Sequence, residues 1–219
     1  MLSHQQAKAF YDRFGKKQDT QWFYEDVATE ALLRNGEFDK ARNILEFGCG
    51  TGRFAEGLLE RHLRASAEYV GIDISDTMVA LAKKRLARFG SRATVHLTKG
   101  SPHLDFGTAT FDRFVSNYVL DLLTCEDIRL ILQEAWRVLS EGGLLGLTSL
   151  THGFTPASRI VVRVWQTIHA IRPVLVGGCR PISLVELVAG PGWRIRYHEK
   201  FSSYGVPSEV LVAEKVAPG

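Results

Sequence analysis

Cysteine is scarce in this chain, with three residues at positions 49, 125 and 179 of 219. An odd and scattered set argues against a disulfide framework and favours a reducing compartment, so we expect a cytoplasmic location. The seven histidines form no H-x-H or H-E-x-x-H pair, and no C-x-x-C pair occurs. These are the spacings that metal sites most often use, and we therefore expect no metal.

Long apolar runs are also missing. The amino-terminal segment is amphipathic but has no apolar run long enough for a signal peptide, and no stretch has the length of a membrane-spanning helix. No block of five or six like charges occurs, and the net charge is +3. The densest basic patch, KKRLAR at 83–88, falls on a predicted helix and is more typical of a solvated face, so we expect no nucleic-acid partner.

What the sequence does have is a regular alternation of short apolar strands and helices from residue 43 onward. Such alternation predicts right-handed crossovers and a mostly parallel sheet with helices on both faces. After residue 150 the rhythm changes to a helix at 156–171, a short helix at 182–189 and two strands at 193–200 and 206–214. The earlier strands are predicted at 43–47, 68–73, 93–98, 111–116 and 144–149, and the helices between them at 53–64, 77–89 and 125–139.

The chain is predicted to form a single domain, residues 1–219. Residues 1–40 are an aromatic-rich helical segment that we expect to cover the site as a lid. A cofactor-binding core then extends over residues 41–150, helices on the substrate side over 151–192, and a terminal strand pair over 193–219.

A glycine-rich stretch at residues 44–55, ILEFGCGTGRFA, follows the first strand and opens its helix. Glycine lets backbone N–H groups approach a ligand closely, and a helix N-terminus favours electron-rich groups. The second strand ends in Asp73, 21 residues after Gly52. An acid at about this spacing reaches the ribose of a nucleoside cofactor.

Two classes of nucleoside cofactor fit this stretch. Residues 50–55 match G-x-G-x-x-A, which indicates a nicotinamide or flavin enzyme. Three features favour another class: the glycines extend upstream to Gly48, Glu46 precedes them in the strand, and only one five-strand parallel unit is visible. A nicotinamide-dependent oxidoreductase remains an alternative.

The series LEFGCGTGRFA, VGIDIS, FDRFVSNYVLDLL and WRVLSEGGLL resembles the successive motifs of class I S-adenosylmethionine-dependent methyltransferases, over roughly residues 40–150. Within that family it is similar to the small-molecule branch that includes quinone-biosynthesis enzymes. An RNA-modifying methyltransferase remains an alternative, although SNYV at residues 116–119 lacks both prolines of the N/D-P-P-Y/F signature of base amino-group methylation. The resemblance implies an α/β, Rossmann-like doubly wound sheet of seven strands, mostly parallel with the last strand antiparallel. It also implies S-adenosyl-L-methionine as cofactor, S-adenosyl-L-homocysteine as product and a small-molecule methyl acceptor.

The resemblance also implies roles for individual residues. Asp73 would accept hydrogen bonds from the ribose hydroxyls, and Ile74 and Met78 would flank the adenine. Ser101, in the stretch KGSP, stands where many relatives carry an acid for the adenine amino group, which leaves that contact open. The other expected cofactor-binding residues are Tyr11, Gln18, Glu46, Gly48, Cys49, Gly50, Thr51, Arg53, Phe54, Gly100, Pro102, Ser116 and Asn117.

Methyl transfer needs positioning and desolvation, and it needs a base only when the acceptor must lose a proton. His152, just beyond the fifth strand, is the first candidate for that base. Tyr118 and Asp121 follow. Arg159 and Arg163, one helical turn apart, are candidates for attracting an anionic or membrane-bound acceptor, so peripheral membrane contact stays open. We expect a monomer or a homodimer.

Overall fold

A computed structural model of the chain describes residues 3–15 and 22–217. The helices are α1 His4–Phe14, α2 Trp22–Asn35, α3 Arg53–Arg61, α4 Asp76–Leu86, α5 Cys125–Val138, α6 Pro156–Ile171 and α7 Leu184–Val188. The strands are β1 Asn43–Phe47, β2 Glu68–Asp73, β3 Ala93–Leu97, β4 Phe111–Asn117, β5 Leu139–Leu150, β6 Trp193–Ser203 and β7 Val206–Lys215.

The strands form one sheet in the order β3-β2-β1-β4-β5-β7-β6. The pairs from β3 through β5 are parallel, whereas β7 runs antiparallel to both β5 and β6. The predicted fold class is therefore confirmed. Because β1 pairs with β2 on one side and β4 on the other, the strand order reverses there, and open α/β sheets bind ligands at such a point.

Alternating side chains along the strands build two apolar layers. Ile44 of β1 packs in a core with α2, α3 and α4, whereas its neighbour Leu45 packs in the core that contains α5 and α7. Val210 and Leu211 of β7 divide between the two layers in the same way. Since both faces are covered, the central strands are largely apolar, as the predicted parallel sheet requires, and Glu46 of β1 is a buried exception.

The predicted boundaries differ from the structure most at β5. We expected residues 141–143, Glu-Gly-Gly, to be a turn before a strand at 144–149. Instead β5 begins at Leu139, and its register with β4 shifts between Phe111 and Arg113. Gly142 has a φ of 71°, so a bulge replaces the turn.

A buried carboxylate joins β7 to the segment that follows β5. Glu209 is fully buried and accepts hydrogen bonds from the Thr151 hydroxyl at 2.7 Å and the Leu184 backbone N–H at 3.1 Å. Its other oxygen lies 2.8 Å from His198 Nε2. This one side chain therefore connects β6, β7, α7 and the end of β5.

Replacing Glu209 with alanine should lower the free energy of unfolding by about 3 kcal/mol, because it leaves buried donors without an acceptor. Glu199→Ala, on the exposed face of β6, is the control and should change it by less than about 1 kcal/mol. Urea unfolding followed by circular dichroism measures both values. Equal effects of the two substitutions would contradict the role of Glu209.

Candidate functional site

The glycine loop after β1 adopts a backbone that only glycine accommodates well. Gly48, Gly50 and Gly52 have φ values of 76°, 51° and 76°. A Cβ on Gly48 would stand 2.3 Å from Val119 Cγ2. The backbone N–H groups of Gly48 and Cys49 both donate to the Ile72 carbonyl, at 2.8 and 3.0 Å. The loop is thus held against the end of β2, with α3 starting directly after it.

Asp73, at the end of β2, ties this loop to the start of α4. Its carboxylate accepts from the Gly50 backbone N–H and from the Ser75 backbone N–H, each at 2.9 Å. Burial raises the pKa of the Asp73 carboxyl, and these N–H bonds oppose that shift. A carboxylate offers about four lone-pair sites, so Asp73 retains capacity for ligand hydroxyls.

A first cavity, of about 100 Å³, opens beside Asp73. Its walls are mainly apolar, which suits a flat ring system. α1 contributes to the wall through His4, Ala7 and Tyr11. The remaining lining residues are Phe47, Gly48, Gly50, Ile72, Asp73, Ile74, Met78, Thr98, Gly100, Tyr118, Val119, Leu122 and Leu123.

α1 is anchored over this cavity by hydrogen bonds to the start of α4. The Asp12 carboxylate accepts from the Ser75 hydroxyl at 2.6 Å and from the Thr77 backbone N–H at 3.3 Å. Lys8 pairs with Asp12 at 2.9 Å and also contacts Asp76. α1 therefore lies where the predicted lid was expected.

A second cavity, of about 350 Å³, extends from the other side of the glycine loop between α2 and α3. Gly48, Gly50 and Tyr118 line both cavities, so the two adjoin at the loop. The second cavity is the more polar of the two. Its other lining residues are Glu25, Asp26, Thr29, Glu30, Leu33, Glu46, Cys49, Thr51, Arg53, Phe54, Glu56, Gly57, Glu60, Arg61 and Asn117.

Glu46 forms the buried end of a chain of polar side chains below the second cavity. It accepts from the Tyr69 hydroxyl at 2.5 Å and from Asn117 Nδ2 at 3.4 Å. Asn117 Oδ1 in turn accepts from the Thr148 hydroxyl at 2.6 Å, which fixes the orientation of the amide. Burial raises the pKa of Glu46 to about 7, although both hydrogen bonds oppose the shift.

Tyr118 and Asp121 follow β4 in different environments. Tyr118 has a φ of 53°, and its hydroxyl donates to Ser208 Oγ at 2.8 Å. Burial raises the pKa of Tyr118. Asp121 is fully buried: Oδ2 accepts from the Leu150 N–H at 3.2 Å and Oδ1 has no partner among the described residues. Burial raises the pKa of Asp121 to about 7.

The structure brings most of the predicted cofactor residues to these two cavities. Arg53 lines the second cavity and pairs with Asp26 at 2.8 Å, and Thr51 accepts from Arg85 at 2.7 Å. Ser116 is buried instead, and its hydroxyl donates to the Phe47 carbonyl at 3.1 Å, which joins β4 to β1. Gln18 lies outside the described residues.

Besides Ser116, four predicted residues line neither cavity. Asp121 is buried. His152 is exposed, Ser101 is exposed, and Pro102 is partly exposed. Their roles stay predictions. Conversely, sequence reasoning missed His4 and Ala7 of α1, and the acidic residues of α2, which nothing local to their sequence marks as cavity residues.

These features first define a class of protein. A glycine loop, an acid at the end of β2 and two adjoining cavities lie where the strand order of a doubly wound sheet reverses. This arrangement is typical of proteins that bind a nucleoside cofactor. Comparison with known proteins then narrows the class. A family model described as a methyltransferase domain matches residues 44–143. Residues 44–143 thus resemble a methyltransferase domain, and the matches support a class I S-adenosylmethionine-dependent methyltransferase, a family whose cofactor is S-adenosylmethionine.

Several curated proteins with similar sequences are named as methyltransferases. A malonyl-[acyl-carrier protein] O-methyltransferase of Erwinia pyrifoliae is 31% identical over 162 residues, which are 74% of this chain and 55% of that protein. A demethylmenaquinone methyltransferase of Lactiplantibacillus plantarum is 30% identical over 57% of this chain and 50% of that protein. The chain thus spans about half the length of the curated relatives it matches.

The fold is shared with solved structures. A SAM-dependent methyltransferase of Methanosarcina mazei superposes with a TM-score of 0.67 at 17% identity, over 84% of this chain and 97% of that one. At such low identity the likeness concerns the fold alone.

The Gly48 conformation can be tested by comparing two alanine substitutions. Gly48→Ala and Gly90→Ala both place a side chain at positive φ, but a Cβ on Gly90 meets nothing within 4 Å. We expect Gly90→Ala to cost about 1 kcal/mol of unfolding free energy and Gly48→Ala to cost clearly more, because Val119 is in contact. Urea unfolding measures the difference, and the double variant Gly48→Ala/Val119→Ala should recover part of it. Equal costs would refute the close approach.

Glu46 should make stability depend on pH. The pKa of the Glu46 carboxyl is about 7 in the folded chain, against an ordinary value of 4.5, so between these pH values the folded state binds a proton that the unfolded state has lost. The free energy of unfolding therefore falls as pH rises through this window. Relative to wild type, Glu46→Gln should gain about 2 kcal/mol between pH 5 and pH 7.5, measured by urea unfolding without ligand. A gain that is independent of pH would contradict the shifted pKa.

Proposed function

We propose that this chain transfers a methyl group from S-adenosylmethionine to a small-molecule acceptor. The observation that carries the proposal is the pair of cavities that adjoin at Gly48, Gly50 and Tyr118, at the carboxyl ends of β1 and β4. One cavity is apolar and borders Asp73, as a nucleoside requires. The other is polar and continues from the glycine loop. When bound, the cofactor would supply a methyl group already activated by its sulfonium.

The residues at the loop fit this cofactor. Asp73 would accept from the ribose hydroxyls, while Ile74 and Met78 flank the base and Gly100 leaves room beside them. A Cβ on Gly100 would stand 2.7 Å from Ile74 Cδ1, so the close approach needs glycine there. Thr98 lines the same cavity, which makes it a better candidate than Ser101 or Pro102 for a polar contact with the base.

The methionine part of the cofactor would lie along the glycine loop, over Gly48, Cys49, Gly50 and the start of α3 from Thr51 to Phe54. Glu46 and Asn117 supply polar groups beneath this position, and Arg53 is a cation at its rim. Tyr11 of α1 closes the opposite side. Gln18, which lies outside the described residues, stays a contact predicted from the sequence.

Tyr118 is the best placed of the predicted catalytic residues. It lines both cavities, and its hydroxyl is held by Ser208, so it would position the acceptor beside the reacting methyl group and exclude water. Asp121, buried and with a pKa of about 7, is the second candidate base for an acceptor that must lose a proton, but it lines neither cavity and would need a rearrangement to reach the acceptor. His152 is exposed and would have to move to take that role.

The acceptor is proposed to be a small molecule, methylated on an oxygen, nitrogen, sulfur or carbon atom. By their names, relatives act on a malonyl group carried by a protein and on a demethylmenaquinone.

We further propose that the chain is one domain, works in the cytoplasm as a monomer or homodimer, and needs no nucleic acid. Among the described residues, no helix is long and apolar enough to cross a membrane, and no cluster of potential metal ligands occurs.

The experiment that tests the proposal is ligand-dependent stabilisation. S-adenosylhomocysteine at about a hundred times its Kd should stabilise the wild-type protein by about 2.7 kcal/mol, whereas NADH should not. Asp73→Ala should weaken that binding at least tenfold, while Asp105→Ala, an exposed acid, should leave it unchanged. Thermal shift and calorimetry give both values.

Because Asp73 also holds the glycine loop, Asp73→Asn serves as a second variant that retains one carbonyl acceptor and a similar volume. Stabilisation by NADH and not by S-adenosylhomocysteine would overturn the cofactor assignment. If the cofactor binds, a labelled methyl donor offered with phenols, quinols, amines and thiols identifies the acceptor class. Cofactor binding without turnover on any acceptor would contradict the enzymatic proposal alone.

A further inference from the structure

The segment from residue 142 to residue 185 contains no aspartate, glutamate or lysine, but it contains four arginines. Three of them, Arg159, Arg163 and Arg172, are exposed on or directly after α6. Among the described residues, none of the three forms an ion pair. Several arginines in other parts of the described structure form ion pairs with carboxylates, for example Arg53 with Asp26. The segment therefore presents an uncompensated positive surface.

Beside these arginines runs a row of exposed aliphatic side chains. Ile160, Val164 and Ile171 lie at spacings of four and seven residues, on one side of α6, and are 64%, 55% and 75% exposed. Val174 and Leu175, in the short 3₁₀ helix Pro173–Val176 that follows, are 50% and 70% exposed. Side chains this exposed form a protruding ridge. Together we call Ile160, Val164, Ile171, Val174, Leu175 and the three arginines the basic ridge.

The opposite side of α6 is fixed to the protein. Val162 is buried, Trp165 Nε1 donates to the Cys179 carbonyl at 3.0 Å, and His169 Nε2 lies 3.2 Å from the Gly178 carbonyl. A capping box of Thr155 and Ser158 starts the helix. These contacts fix the orientation of α6. The aliphatic row therefore faces outward in the folded protein.

We propose that the basic ridge docks this protein on an anionic lipid surface. An interfacial helix combines an apolar row that enters the acyl boundary with arginines that meet lipid phosphates, and the basic ridge has both parts. A protruding ridge suits a deformable bilayer, whereas a protein partner would need a matching groove. The absence of acidic residues over 44 positions removes the repulsion that such a surface would otherwise impose.

The basic ridge also adjoins the lid of the cofactor cavity. A Cβ on Gly177, one residue beyond the 3₁₀ helix, would stand 3.5 Å from Phe10 Cε1 of α1. Docking would bring α1 close to the lipid headgroups. If the proposed methyl transfer holds, which this last step assumes, an acceptor that partitions into the bilayer would enter beside α1.

Vesicle flotation with the full chain tests lipid docking without reference to activity. We expect the protein to float with vesicles of phosphatidylcholine and phosphatidylglycerol in equal parts, and not with phosphatidylcholine alone. Arg159→Gln/Arg163→Gln should weaken the partition roughly thirtyfold. The matched control Lys83→Gln/Lys84→Gln removes the same charge from exposed positions of α4 and should change it less than about twofold. Raising the salt concentration should weaken binding of the wild type.

A second variant, Ile171→Ser/Leu175→Ser, keeps every charge and should also reduce partition at least tenfold, because the apolar contribution is lost.

No flotation with the anionic vesicles, or equal loss in the α4 control, would overturn the proposal. So would a concentration-dependent dimer that the serine variant abolishes, because the ridge would then bind a second copy. Binding of a purified acidic acyl carrier protein in place of the vesicles would likewise overturn it. S-adenosylhomocysteine binding, measured on the same variants, should be unchanged and separates this result from the fate of the methyl-transfer proposal.

Discussion

The Asp73 carboxylate is the contact on which the arrangement of the site depends. It accepts from the N–H groups of Gly50 and Ser75, and so joins the end of β2 to the glycine loop and to the N-cap of α4. Ser75 in turn donates to Asp12 of α1. One buried acid therefore sets the position of the loop, the first turn of α4 and, through Ser75, the helix that covers the cavity.

Several carboxyl groups are buried at the same edge of the sheet, and their burial lowers the stability of the fold. Glu46 and Asp121 are fully enclosed and have pKa values of about 7, and the pKa of Asp73 is also raised. Apolar residues would be more stable at such positions. A carboxyl group whose pKa lies near 7 can change its protonation state when a charged ligand arrives, which would suit the proposed binding of a cationic sulfonium.

The two halves of the chain contribute differently to this arrangement. Residues up to β5 build most of the two cavities by a regular series of crossovers, and the segment after β5 completes the sheet with β6 and β7. Glu209 holds this second half together through α7 and His198. Ser208, its neighbour on β7, accepts from the Tyr118 hydroxyl, so the terminal strands also orient a side chain of the site.

Local sequence determined the parts of this protein that depend on local spacing. Short apolar runs predicted β1 and β2, the glycines after β1 predicted a loop that a ligand can approach closely, and the acid ending β2 marked Asp73. The family resemblance implied seven strands with the last one antiparallel, whereas the strand order came from the structure. The bulge in β5 was missed because Gly-Gly usually indicates a turn.

Tertiary structure alone decided which polar groups meet. The Tyr69–Glu46–Asn117–Thr148 chain joins residues on four strands, and the placement of Tyr118 in both cavities needs its positive φ. His152 and Tyr118 both follow a strand at the ligand edge, yet one is exposed and the other lines both cavities. Local spacing determines where a side chain leaves its strand. Burial and hydrogen-bond partners come from residues distant in the chain, and only packing brings these together.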